Sequence, residues 1–156
     1  MLYALLKTIH VLSVILWVGG MIFAELFLRP ALAALAPPER LRLTQAVLAR
    51  FFTAVLWASA LALGSGVWMI GRVAKAAVQS GGSFSMPLSW TVMAGLGVLM
   101  VALFGYIRFV LYPRFAATVA AADWTQAAER LQPLRLWVRV NLVIGLVIVG
   151  VLYLAH

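Results

Sequence analysis

Cysteine is absent from this chain, which removes disulfides, thiolate metal sites and cysteine nucleophiles together and leaves the redox compartment open. Acidic residues are almost as scarce: Glu25, Glu39, Asp123 and Glu129 are the only four among 156 residues. No two of them pair inside an apolar run, and neither a nucleophile elbow nor a phosphate-cradling glycine loop occurs, so hydrolase and transferase chemistry lack their usual groups. Charge of either sign is sparse at 10% of residues, where a soluble domain carries about a quarter. With so few groups to wet a surface, apolar side chains must face outward as well as inward. Only lipid tolerates that.

What the chain does have is hydrophobic residues, at 65% of its length. Uncharged runs cover Thr8 to Ala24, Phe51 to Gly71, about Leu88 to Ile107, and Val140 to Ala155. At about 1.5 Å per residue each approaches or exceeds a hydrocarbon core about 30 Å thick. Open sheet edges would strand backbone groups in lipid, so the runs read as helices. The expectation is an all-α polytopic membrane protein: a single domain over 1–156, four transmembrane helices in an antiparallel bundle, with spans at about 4–28, 51–71, 88–112 and 136–155. The first run is read as a retained helix rather than a cleaved signal peptide, because Glu25 and Arg29 separate it from the alanines that resemble a processing site.

The net charge of +8 sits at the ends of these runs, which points to membrane topology and anionic lipid rather than nucleic acid. Arg29, Arg40, Arg42 and Arg50 gather in the first connection, and Arg108, Arg114, Arg130, Arg135 and Arg139 in and around the third. Connections one and three are therefore expected in the cytoplasm and both termini outside. Pro37-Pro38-Glu39-Arg40 and Asp123-Trp124-Thr125-Gln126 read as helix starts, and Ser80-Gly81-Gly82-Ser83 as a flexible outer loop. Trp68, Trp90, Trp124 and Trp137 fall near run ends, as interfacial anchors do.

Aligning Pro30 with Pro113 reads the halves as two parallel helical-hairpin repeats, against the alternative that alanine-rich helices resemble one another by chance. On that alignment Glu25 falls opposite Arg108, a candidate structural ion pair, and His10 falls opposite Met93, two candidate soft ligands. His10 is the one intramembrane histidine, about two turns below the outer surface. It shares a face with Lys7, Ser13, Val14, Trp17 and Met21, which should point into the bundle. Its imidazole can ligate haem iron or copper, relay a proton or simply bond a neighbouring helix. His156 lies at the same outer side. Met86, Met93 and Met100 recur every seven residues, as a copper(I) stripe or as ordinary packing. Gly19-Gly20, Gly64-Ser65-Gly66 and Gly95-Leu96-Gly97 allow close helix packing or room for a flat cofactor.

The segment Ile9-His10-Val11-Leu12-Ser13-Val14-Ile15-Leu16-Trp17-Val18-Gly19-Gly20-Met21 resembles the copper-resistance D (CopD) family of small bacterial membrane proteins. Leu28-Arg29-Pro30-Ala31, Phe104 to Pro113, Ala121-Ala122-Asp123-Trp124 and Asn141 to Leu146 extend the resemblance over most of the chain. It implies four helices in a bacterial inner membrane and a connection with copper. The HemJ-type haem-binding membrane proteins are more distantly similar, and by that analogy His10 is an axial haem or copper ligand. The family pattern implies further histidines in the third helix, near Thr91 and Tyr106 of this chain, where neither side chain ligates in the same way. That leaves His10 with Met93, or with an open position. The leading expectation is a cofactor or metal held near His10 in the outer half of the bundle, with haem b first among them and a redox role to go with it. Copper handling without haem, and a non-catalytic partner of a membrane complex or of a second copy, stand as alternatives.

Overall fold

The computed structural model describes residues 1–154 and consists of four long helices: α1 (Leu2–Leu32), α2 (Pro37–Gln79), α3 (Leu88–Ala120) and α4 (Trp124–Leu154). Each is apolar enough to cross a membrane, and all four present large hydrophobic side chains outward. The chain is thus an all-α, multi-pass membrane protein. The helices run past the apolar spans: α2 and α4 begin at the helix starts expected from Pro37 and Asp123, and α1 and α3 continue beyond Pro30 and Pro113. His156 and Ala155 lie outside the described residues.

Local chemistry sets the ends. Pro37 opens α2 after an extended Ala36, where a missing N–H costs nothing. Asp123 caps α4 by accepting the Gln126 amide at 3.0 Å. Two helices close with the same C-terminal motif. After α2 the amides of Gly81 and Gly82 bond Val78 and Ala77 carbonyls, and after α3 those of Ala122 and Asp123 bond Val119 and Thr118. The motif needs a left-handed residue. Gly81 supplies it at φ +79°, whereas Ala122 is forced there at φ +54°.

α1 packs chiefly on α2, and α3 on α4, while α1 and α3 stand across the bundle and meet at Trp17 and Phe104. Both transverse helices carry a widened π turn, at Ala24–Leu28 and at Ile107–Leu111, each ending two residues before a proline. The amides of Arg29 and Tyr112 reach back five residues, to Ala24 and Ile107. Proline has no N–H and its ring crowds the carbonyl four residues earlier, so a widened turn keeps each helix continuous. The two turns coincide when Pro30 is set on Pro113, a structural counterpart to the hairpin alignment.

The arginine-rich half of the bundle holds the densest core. Phe52, Val55, Ile107, Phe115, Leu131 and Leu134 are fully buried there. An edge-to-face ladder runs Trp17–Phe104–Phe52–Tyr112, with centroids 5.7, 5.9 and 5.4 Å apart. Tyr112 anchors its end by accepting the Gln45 side-chain amide at 3.1 Å.

The left-handed Ala122 gives a direct test. Ala122→Gly should stabilise the protein by up to about 1 kcal/mol, and Gly81→Ala should destabilise it comparably. Thermal unfolding in detergent reads both, with opposite shifts of roughly 2–4 °C per kcal/mol.

Candidate functional site

Towards the end of the bundle that holds the N-terminus, the helices part around a cavity of about 190 Å³. His10, Gly66, Met93, Gly97, Met100 and Gly145 line it, so every helix contributes. Trp17 and Met100, both buried, lie at its inner limit, where the aromatic ladder begins. Leu63, Val67 and Val98 line it too and are exposed, so it opens sideways towards lipid between α2 and α3. No charged side chain lines it.

His10 is held in one orientation. Its Nδ1 lies 2.9 Å from the Ala62 carbonyl oxygen and 3.2 Å from Ser65 Oγ. A carbonyl only accepts, so in the neutral ring the proton sits on Nδ1 and the lone pair on Nε2. Ser65 is fixed in turn by donating to the Leu61 carbonyl at 2.6 Å. Such anchoring of one imidazole nitrogen on a carbonyl is how metal-binding histidines present the other. Gly66 keeps the flank of the ring clear: a Cβ there would lie 3.4 Å from His10 Cε1.

The expected face of α1 points inward as anticipated, with Ser13, Trp17 and Met21 buried and His10 and Val14 partly so. Lys7 alone projects outward, at the wet end of the helix. His10 and Met93 line the same cavity, and Met100 joins them. Met86 falls in the connection before α3, so the seven-residue stripe contributes two of its three thioethers.

Glu25 and Arg108 are not brought together. The Glu25 carboxylate accepts Arg139 Nε from α4 at 2.9 Å and Arg29 from its own helix at 3.2 Å. α1 borders α4 at this depth whereas α3 lies across the bundle, so the nearer arginine takes the carboxylate. Arg108 lies over the Phe109 and Tyr112 rings at 5.7 and 5.5 Å, its Nε buried without a hydrogen-bond partner.

Spacing along the chain does not single out two polar residues. Ser65 reads from the sequence only as a small residue between two glycines. Asn141, buried in α4, donates to the Met100 carbonyl at 3.3 Å and leaves its Oδ1 unpartnered. A lone amide in an apolar span was the available signal.

Among the described residues no cluster of three or more histidine, cysteine or acidic side chains could hold a metal. A metal at this cavity would therefore be held by one imidazole and thioethers, a soft neutral set suited to copper(I). An apolar wall also favours a monocation, since the desolvation cost of an ion rises with the square of its charge. Haem b fits less well. The His10 donor suits it, but the cavity is smaller than the roughly 300–1,000 Å³ usual for organic ligands, and no cation lines it to meet propionates.

The family model described as Copper resistance protein D matches residues 45–155. Met93, Met100 and Ser65 lie within the matched segment and His10 before it. No curated protein and no solved structure matches the chain at a significant level.

Gly145 tests the packing around the cavity. A Cβ there would lie 3.0 Å from Val18 Cγ2 and 3.2 Å from Met100 Cε, whereas nothing lies within 4 Å at Gly95. Gly145→Ala should cost about 1–3 kcal/mol in thermal unfolding. Gly95→Ala should cost nothing, or stabilise slightly through helix propensity.

Proposed function

The chain belongs to the copper resistance protein D family, and on that premise we propose that it holds copper(I) as cargo in the outer-half cavity, on His10 Nε2 with Met93 and Met100. The observation that carries this reading is the His10 ring, tethered through Nδ1 to the Ala62 carbonyl in a cavity that two methionines also line. Thioethers and imidazole together favour copper(I) over zinc or the harder divalent ions. The apolar wall keeps water, and with it hydrated copper(II), at a disadvantage.

The arginine distribution supports an inner, cytoplasmic membrane with both termini outside, which would turn the cavity towards the outer compartment. The buried aromatic ladder from Trp17 through Phe104 and Phe52 to Tyr112, which closes the inner limit of the cavity, supports retention or hand-off on that side rather than conduction through the bundle. Ser65 and Ala62 orient the imidazole, and Asn141 holds the turn of α3 that carries Met100.

Copper(I) titration against a chromophoric chelator, on detergent-purified protein under reductant, tests the reading. One copper(I) per chain is expected. His10→Ala should weaken it by at least about 100-fold, and Met93→Leu and Met100→Leu by about tenfold or more each. Arg72→Gln, at the outer end of α2, should leave it unchanged. Failure to retain copper(I), or equal retention by His10→Ala, contradicts the assignment.

A haem b reading uses the same imidazole and would bring a redox role, but it requires α2 and α3 to part further. It predicts a Soret band in protein from haem-replete cells that disappears in His10→Ala; the copper reading predicts colourless protein.

A further inference from the structure

At the arginine-rich end of the bundle, opposite the cavity of His10, a second cavity of about 210 Å³ opens between α1, α2 and α4. Arg29, Arg40 and Arg135 converge on it from three helices, with Gln132 beside them. Arg29 shares the Glu25 carboxylate at 3.2 Å, while the ion pairs among the described residues include neither Arg40 nor Arg135. Both are partly buried. Three guanidiniums share this recess with one nearby carboxylate, Glu25, which Arg29 and Arg139 already hold, so an incoming anion offsets the repulsion that remains between Arg40 and Arg135.

The cavity does not end in polar walls. A narrower groove of about 50 Å³ shares Arg29, Leu131 and Arg135 with it and continues between α1, α2 and α4. Leu28, Leu32, Leu48, Leu134 and Val138 make most of that groove, with Thr44 and the arginine-paired Glu25 beside them, all from the membrane-crossing helices. A basic cup that runs directly into an apolar groove matches a molecule with a phosphate at one end and a hydrocarbon chain at the other. Arginine forks bind phosphate oxygens in pairs, which lysine cannot do. A free phosphate would use the cup and leave the groove unexplained.

We propose that the Arg29–Arg40–Arg135 cup and its adjoining groove form a specific site for an anionic phospholipid, with the headgroup phosphate on Arg40 and Arg135 and an acyl chain along Leu28, Leu48 and Val138. The occupant ties together α1, α2 and α4, the helices that the Glu25–Arg139 pair also links in part. This site is independent of the copper reading.

The test uses the full chain, delipidated in neutral detergent, with phosphatidylglycerol, phosphatidylcholine or inorganic phosphate added separately. Phosphatidylglycerol should raise the melting temperature by roughly 3 °C or more, and the other two should not. Arg40→Gln/Arg135→Gln should lose that increment, while Arg72→Gln/Lys75→Gln at the opposite end keeps it. Native mass spectrometry of the unaltered protein in an equimolar phosphatidylglycerol and phosphatidylcholine mixture should show one phosphatidylglycerol preferentially retained, a readout that survives if the double variant does not fold. Equal stabilisation by phosphatidylcholine, full stabilisation by inorganic phosphate alone, an increment kept by the Arg40/Arg135 variant, or unselective lipid retention would each overturn the proposal.

Discussion

In hydrocarbon, no water stands ready to satisfy a stray polar group, and that constraint organises this protein. The backbone meets it by staying helical almost from end to end, widening one turn ahead of Pro30 and of Pro113 instead of breaking. The side chains meet it by turning back on the helix. Ser13 donates to the carbonyl of Ile9, Ser59 to that of Leu56, and Ser65 to that of Leu61. His10 cannot reach its own helix in this way and bonds α2 instead. One satisfied nitrogen leaves the other available, so the rule that builds the fold also prepares the site.

The same constraint divides the bundle into two halves of different character. Towards the arginine-rich end, aromatic and branched side chains build a dense core beside the arginine-lined recess, and the Glu25 carboxylate, at 16% exposure, holds α1 to α4 through Arg139. Towards the other end, Gly66, Gly97 and Gly145 withhold side chains and the helices do not close on one another. Trp17 and Met100 mark the boundary.

Helix number, helix starts and the inward face of α1 were legible because lipid imposes long uncharged runs and because proline and aspartate punctuate them in known ways. Less legible was how far α1 and α3 run past their prolines, since a widened turn before each keeps them helical to Leu32 and Ala120. His10 and Met93 could be placed at one depth from the position of Pro30 and Pro113. Glu25 and Arg108 shared that symmetry and still found different neighbours, because matching depth does not fix which helices are adjacent. Ser65 and Asn141 were missed for a common reason. Their role lies in a contact to another residue's carbonyl, and linear spacing carries no record of it.

Membership of the copper resistance protein D family connects the chain with copper resistance, and the proposal puts copper(I) in the cavity that His10, Met93 and Met100 line. One nitrogen and two sulfurs then surround the metal. X-ray absorption at the copper edge, on protein loaded with copper(I), reports the ligand elements directly. A first shell mixing nitrogen and sulfur, with the nitrogen lost in His10→Ala and sulfur lost when Met93 and Met100 become leucine, is what the account predicts. A shell of oxygen and nitrogen alone, or one indifferent to His10, would contradict it.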